Sequence, residues 1–184
     1  SCINNRQNVL LYGPGGTGKS YMVKEVVYAL EHKFNFFCTA TTGIAAINLG
    51  MSSGLPTSTI HSFSGIGLGQ GTASELFHKV AQDDRARKRW LACDVLVVDE
   101  ISMLGQDLIY KLDYIGRNIR RLKHVPFGGI TLLLVGDFLQ LPPVKDGMLF
   151  KYQEWENFKL RPFVLTEPKR YPDLAYFNML LRFR

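Results

Sequence analysis

The stretch NVLLYGPGGTGKS, Asn8 to Ser20, decides the fold. A short apolar run ends in a glycine-rich octet, Gly13 to Ser20, that matches GxxxxGK[ST] at every fixed position. Val9–Tyr12 reads as a buried strand, and a helix starts after the turn. Gly13, Gly15, Gly16 and Gly18 let backbone N–H groups face inward, where a side chain would obstruct them. The helix adds the positive end of its dipole, so the loop, Thr17 included, is built to cradle phosphate oxygens. Lys19 reaches the terminal phosphates and the Ser20 hydroxyl ligates Mg²⁺. From average composition, a chance match in a chain this long arises well under about 1% of the time. ATP with Mg²⁺ is the expected ligand.

The rest of the chain repeats the same alternation. Asn8–Tyr12, Phe34–Thr39, Asp94–Val98, Ile130–Val135 and Phe163–Thr166 read as strands, mostly without polar alternation, so both sheet faces need cover. Gly18–Glu31 carries Met22, Val26, Val27 and Leu30 at helical spacing, and Leu104, Leu108, Leu112, Ile115 and Ile119 form a second stripe. This pattern predicts one α/β domain, doubly wound around a mostly parallel sheet with helices on both faces. The ligand site of such a domain lies beyond the carboxyl ends of the strands. Gly65–Thr72 (GIGLGQGT) is the expected mobile loop. No internal repeat or domain boundary interrupts the chain.

Bulk composition narrows the class. With 184 residues, 46% hydrophobic and 21% charged, the chain suffices for one core and disfavours disorder. A formal charge of +6 suits a polyanionic partner. Two basic clusters, Arg85–Arg89 and Arg117–Lys123, read first as solvated helix faces, and a third lies in the last sixteen residues. Cys2, Cys38 and Cys93 have neither zinc spacing nor a disulfide framework, which points to a reducing, intracellular setting. Apolar runs are strand-length, so neither a membrane span nor a secretory leader is expected.

Two further strands end in polar residues. Asp94-Val95-Leu96-Val97-Val98-Asp99-Glu100 delivers two acids at its carboxyl end. Asp99 is expected to hold Mg²⁺, and Glu100 to orient and deprotonate the attacking water, which favours a hydrolase over a kinase. The plainer reading is that two acids end a strand and cap the next helix. The strand Leu132–Val135 runs into Gly136-Asp137-Phe138-Leu139-Gln140-Leu141-Pro142-Pro143. Gln140 is placed to donate to the γ-phosphate or the attacking water, while the prolines hold the loop's direction. Loop capping serves equally well for Asp137, and remains open for Gln140.

The order of motifs resembles that of superfamily 1B helicases, and within them the PIF (petite integration frequency) family. GPGGTGKS is followed by TATTGIAA (39–46), TIHSF with GIG (59–67), VVDEISML (97–104) and GDFLQLPPV (136–144). The last two are far more specific than the P-loop, and the match covers nearly the whole chain. The resemblance implies a RecA-like P-loop NTPase fold, with residues 1–184 as the first RecA-like domain of an ATP-dependent 5′-to-3′ DNA helicase. It also implies single-stranded, duplex and fork DNA as partners, a second RecA-like domain of the same protein, and a monomer working in replication, recombination, repair and telomere maintenance. Thr42, Thr59, His61 and Phe63 fall in segments that line the single-strand track. Hydroxyl and imidazole groups suit phosphates there, and an aromatic face suits a base. Helix-start or core packing is the alternative for His61 and Phe63.

Where the family reads Phe-Arg-Gln, this chain has Lys169-Arg170-Tyr171, and the resemblance assigns Arg170 to the γ-phosphate. Asp173, Leu180 and Arg184 fit the segment that follows. Met51–Ser58 contains an insertion of several residues relative to the family's usual tight Gly-Gly turn. The adenine-contacting glutamine segment would lie before residue 1, since Gln7 is too close to the P-loop to supply it. Two competitors remain: another P-loop ATPase, such as a kinase or an AAA-type protein, and a truncated nucleotide- or DNA-binding module with little turnover.

Overall fold

Six strands form one sheet in the order β3-β2-β4-β5-β1-β6, and every pairing is parallel. They are β1 (Val9–Tyr12), β2 (Phe36–Ala40), β3 (Thr57–Thr59), β4 (Val95–Asp99), β5 (Thr131–Gly136) and β6 (Arg161–Val164). The computed structural model describes residues 2–138, 140, 142, 143 and 146–167. Arg170, Asp173, Leu180 and Arg184 lie outside these described residues.

The uninterrupted apolar strands are explained by cover on both faces. Leu96, Val98, Leu132 and Leu134 face a layer made by α3 (Ile60–Ser64), α4 (Ala73–Gln82), α5 (Asp84–Ala92) and α6 (Gln106–Ile119). Val95, Val97, Leu133 and Val135 face the opposite layer, α1 (Lys19–Leu30) and α2 (Gly43–Ser53). Each such side chain contributes roughly 1.5–3 kcal/mol of burial, so β4 and β5, buried throughout, anchor the domain. Among the described residues, no helix is long and apolar enough to cross a membrane.

The helices start where short polar side chains satisfy the first amide groups. Thr42 Oγ1 accepts from Ala45 N at 3.2 Å to open α2, and Thr59 Oγ1 accepts from Ser62 N at 3.1 Å to open α3. Thr72 and Glu75 form a reciprocal capping box on α4, and Asp83 caps α5.

Several expectations are corrected in detail. On α1 the buried seam is Val23 and Val27, while Met22 is exposed. Val26 and Leu30 pack against the core as expected and, with Met22, border an apolar groove of about 490 Å³ between α1 and β6. Leu104 is fully buried but precedes α6, whose inner face is Ile109, Leu112 and Ile115. β3 escaped the sequence because Thr57–Thr59 has no apolar residue, and β6 begins earlier than Phe163. The loop 65–72 has anchors the sequence does not show: Ile66 is buried, Lys79 Nζ donates to Ile66 O and Lys111 Nζ to Gly69 O. In the basic clusters, Arg89 and Arg120 are spent on backbone carbonyls at the ends of α3 and α5.

Candidate active site

Three neighbouring strands, β4, β5 and β1, deliver their carboxyl ends to one place. Val98 lies opposite Leu134, and Tyr12 opposite Gly136, so the turns that follow start within about one residue of a common level. Out of β1 comes the P-loop. Gly16 and Gly18 both have left-handed backbones (φ 80° and 91°), and α1 begins at once after Gly18 without a side-chain cap. The positive end of its dipole therefore meets the loop with no side chain in between. Two members of the octet have structural tasks. Gly13 N–H donates to Gly136 O at 3.2 Å, and Thr17 Oγ1 donates to Pro14 O at 2.8 Å. Gly13, expected in the phosphate cradle, thus spends its amide on β5.

Lys19 is folded back. Its Nζ donates to Gly13 O at 2.7 Å and to Pro14 O at 2.8 Å. Gln140 follows β5 through a turn closed by its own N–H on Asp137 O at 3.0 Å. Its side-chain nitrogen stands over Gly15, 4.0 Å from where a Cβ on that glycine would sit.

At the end of β4, Asp99 is 7% exposed and its Oδ1 accepts from Glu100 N at 2.9 Å. Burial pushes its pKa up to about 6. The neighbouring Glu100 charge pushes the same way, while the Glu100 amide and the Lys19 charge pull down. Glu100 has φ 56° and ψ 46°, a left-handed backbone that a side-chain-bearing residue adopts at a cost of about 1–3 kcal/mol. Thr41 supports this turn: its N–H donates to Asp99 O at 3.2 Å and its Oγ1 to Glu100 O at 3.0 Å. Thr41, unlike its neighbour Thr42, carries no mark of this role in the sequence. The missing signal was that β2 lies directly beside β4.

Gly15, Gly16, Gly18, Lys19, Ser20, Asp99, Glu100 and Gln140 line one cavity of about 420 Å³. It opens into a larger one of about 1090 Å³ that shares Ser20, Asp99, Glu100 and Gln140 and adds Thr42, Ser102 and the α2 residues Ile44 and Met51. Ser102 Oγ is buried there without a hydrogen-bond partner among the described residues. The donors available to a cation are a hydroxyl and a buried carboxylate, all oxygen, which fits a hard divalent ion such as Mg²⁺. The apolar groove beside β6 shares none of this chemistry.

The four track residues divide. Thr59 lies opposite Ala40 in the β2–β3 pairing, so Thr42 and Thr59 stand at the same edge of the sheet. Both hydroxyls already accept a cap bond. His61 is half-buried, which lowers its pKa. Phe63 is a correction. It is 1% exposed, with its ring 5.2 Å from the rings of both Phe37 and Trp90, so it is a core residue with no face for a base.

A family model described as PIF1-like helicase matches residues 1–156. The ATP-dependent DNA helicase PIF1 of Saccharomyces cerevisiae is 42% identical over 98% of this chain, and that of Homo sapiens 37% over 95%. The chain spans 21% and 26% of those two proteins. The crystal structure of the Pif1 helicase from Candida albicans superposes with a TM-score of 0.88 at 36% identity, covering 98% of this chain and 41% of that one. A Bacteroides Pif1 bound to ssDNA superposes at 0.76 with 27% identity, covering 98% of this chain and 43% of that one.

Proposed function

Because the chain belongs to the PIF1-like helicase family, we propose that it is the first RecA-like domain of an ATP-dependent 5′-to-3′ DNA helicase. The full protein would act as a monomer on single-stranded and forked DNA. One observation carries the reading: Lys19, Ser20, Asp99, Glu100 and Gln140, distant in sequence, line a single cavity at the ends of three adjacent strands. A second RecA-like domain, in the part of the longer relatives that this chain does not span, would close that cavity from the other side.

The proposed chemistry follows from the positions. Lys19 leaves the Gly13 and Pro14 carbonyls for the β- and γ-phosphates, while the amide groups from Gly15 to Ser20 cradle them. Ser20 and Asp99 would hold Mg²⁺, which supplies charge neutralisation to the phosphates when bound. Glu100 accepts a proton from the water whose oxygen attacks the γ-phosphorus, and the bond to the ADP oxygen breaks. Gln140 donates to the γ-phosphate and reports its presence to the neighbouring turn. Arg170 would act on the same phosphate. Leu165 N–H donates to Tyr12 O at 2.8 Å, so the chain leaves β6 beside the P-loop. Thr42, Thr59 and His61 remain the candidate strand contacts.

Paired substitutions in the full-length protein test the assignment. Glu100→Gln should keep nucleotide affinity and lose hydrolysis, because an amide cannot take the proton. Asp99→Asn should instead weaken Mg²⁺-dependent nucleotide binding. Equal binding defects in both variants would remove the division of labour proposed for the two acids.

A further inference from the structure

We propose that Gly136 is a positioning residue for hydrolysis, whose missing side chain sets the aim of Glu100. Gly136 is the last residue of β5, and its φ lies outside the left-handed range. Glycine in a strand interior costs roughly 0.5–1 kcal/mol relative to alanine, and here no unusual backbone angle requires it. Space does. A Cβ at this position would lie 2.9 Å from Ile101 N, 2.9 Å from Ile101 Cγ1 and 3.6 Å from the Glu100 carbonyl carbon.

Ile101 N is the atom that defines ψ of Glu100. Pushing it aside displaces the Glu100–Ile101 peptide, and with that peptide the Glu100 Cα that carries the carboxylate. The turn has little other freedom. The Glu100 amide is held by Asp99 Oδ1, its carbonyl by Thr41 Oγ1 and Met103 N, and the Ile101 side chain is fully buried. Meanwhile the Gly136 carbonyl accepts from Gly13 N. One residue thus fastens the P-loop entrance through its oxygen and leaves room for the Glu100 turn through its Cα. A methyl added to the second face leaves the first in place.

This inference rests on the reading of Glu100 as the base. The test uses full-length protein, single-stranded DNA at saturation, and three variants: Gly136→Ala, Glu100→Gln and the double substitution. Gly136→Ala should lower kcat by about tenfold, since misplacement by ~1 Å costs on the order of 10²-fold and the forced shift is a fraction of that. Affinity for a fluorescent ADP analogue should stay within about threefold, as the P-loop is untouched. In the Glu100→Gln background, Gly136→Ala should leave the small residual turnover, followed in single-turnover time courses, where it is, because there is no base left to misaim. A kcat within twofold of the parent, an affinity that falls in step with kcat, or losses that multiply in the double variant would each overturn the proposal. Full turnover in Glu100→Gln alone would instead overturn the reading of the base. Should Gly136→Ala fail to fold, Gly136→Ala with Ile101→Ala is measured, which removes the Cγ1 contact but keeps the backbone one. Unimpaired turnover in that pair also defeats the proposal.

Discussion

The cavity proposed for nucleotide and the neighbouring sheet edge with Thr42, Thr59 and His61 use similar residues in opposite conditions. In the cavity, the groups that matter are strained, buried or folded onto a temporary partner: Glu100 is left-handed, Asp99 is desolvated, and Lys19 sits on two carbonyls. At the edge the hydroxyls are content, each capping a helix, and the aromatic ring has gone to the core. Polar groups kept out of their most comfortable state mark a place prepared for a ligand. Satisfied caps do not.

The largest test of that contrast is Phe63→Ala. A core aromatic so placed should cost about 3–5 kcal/mol of unfolding free energy, read by denaturant titration of the domain. A stable variant with weakened DNA binding would return Phe63 to the track and break the comparison. Next comes Asp99. Its folded pKa of about 6 exceeds the ordinary 3.8, so the metal-free fold takes up a proton between those values. The contribution of Asp99 to stability should then be greatest below about pH 4, fall as pH rises through 6, and level off, a loss of up to about 3 kcal/mol against the other carboxylates' opposite trend. Asp99→Asn should flatten the fall. A parent-minus-variant difference that is constant with pH would mean that the carboxylate is not desolvated.

Lys19→Ala in full-length protein should lower ATP turnover at least about 10²-fold, ~2.7 kcal/mol, with the melting transition little changed. Retained turnover would show that the folded-back lysine never leaves its carbonyls. Smallest is Thr59→Ala, which removes a cap worth about 1 kcal/mol. If Thr59 only caps, Thr59→Asn restores stability and the DNA affinity never moves. An affinity loss that Asn fails to repair would sharpen the edge into a binding surface.

The P-loop, the two acids and the β4–β5 core were legible because local sequence alone dictates them. A glycine pattern fixes a backbone, and an apolar run fixes a buried strand. What escaped depended on neighbours. Thr41 matters because β2 pairs with β4, and β3 exists because β2 offers it an edge, neither of which leaves a local mark. Phe63 failed for a related reason. An aromatic residue just after a helix start fits a stacking platform and a core equally well, and only the approach of Phe37 and Trp90 decides. Met22 shows the limit of periodicity: α1 turns Val23 and Val27 inward and leaves its neighbouring apolar row facing a groove.

If Lys19 takes the phosphates as proposed, its folded-back position makes nucleotide exchange a substitution reaction. Its ammonium holds the carbonyls of Gly13 and Pro14, a pair of internal competitors whose local concentration never changes. On that reading an arriving phosphate would displace a bonded partner, and a departing one would be replaced at once by the loop's own oxygens. The cation would never be stranded without an acceptor between turnovers, and the affinity for phosphate would be set by the difference between two good partners.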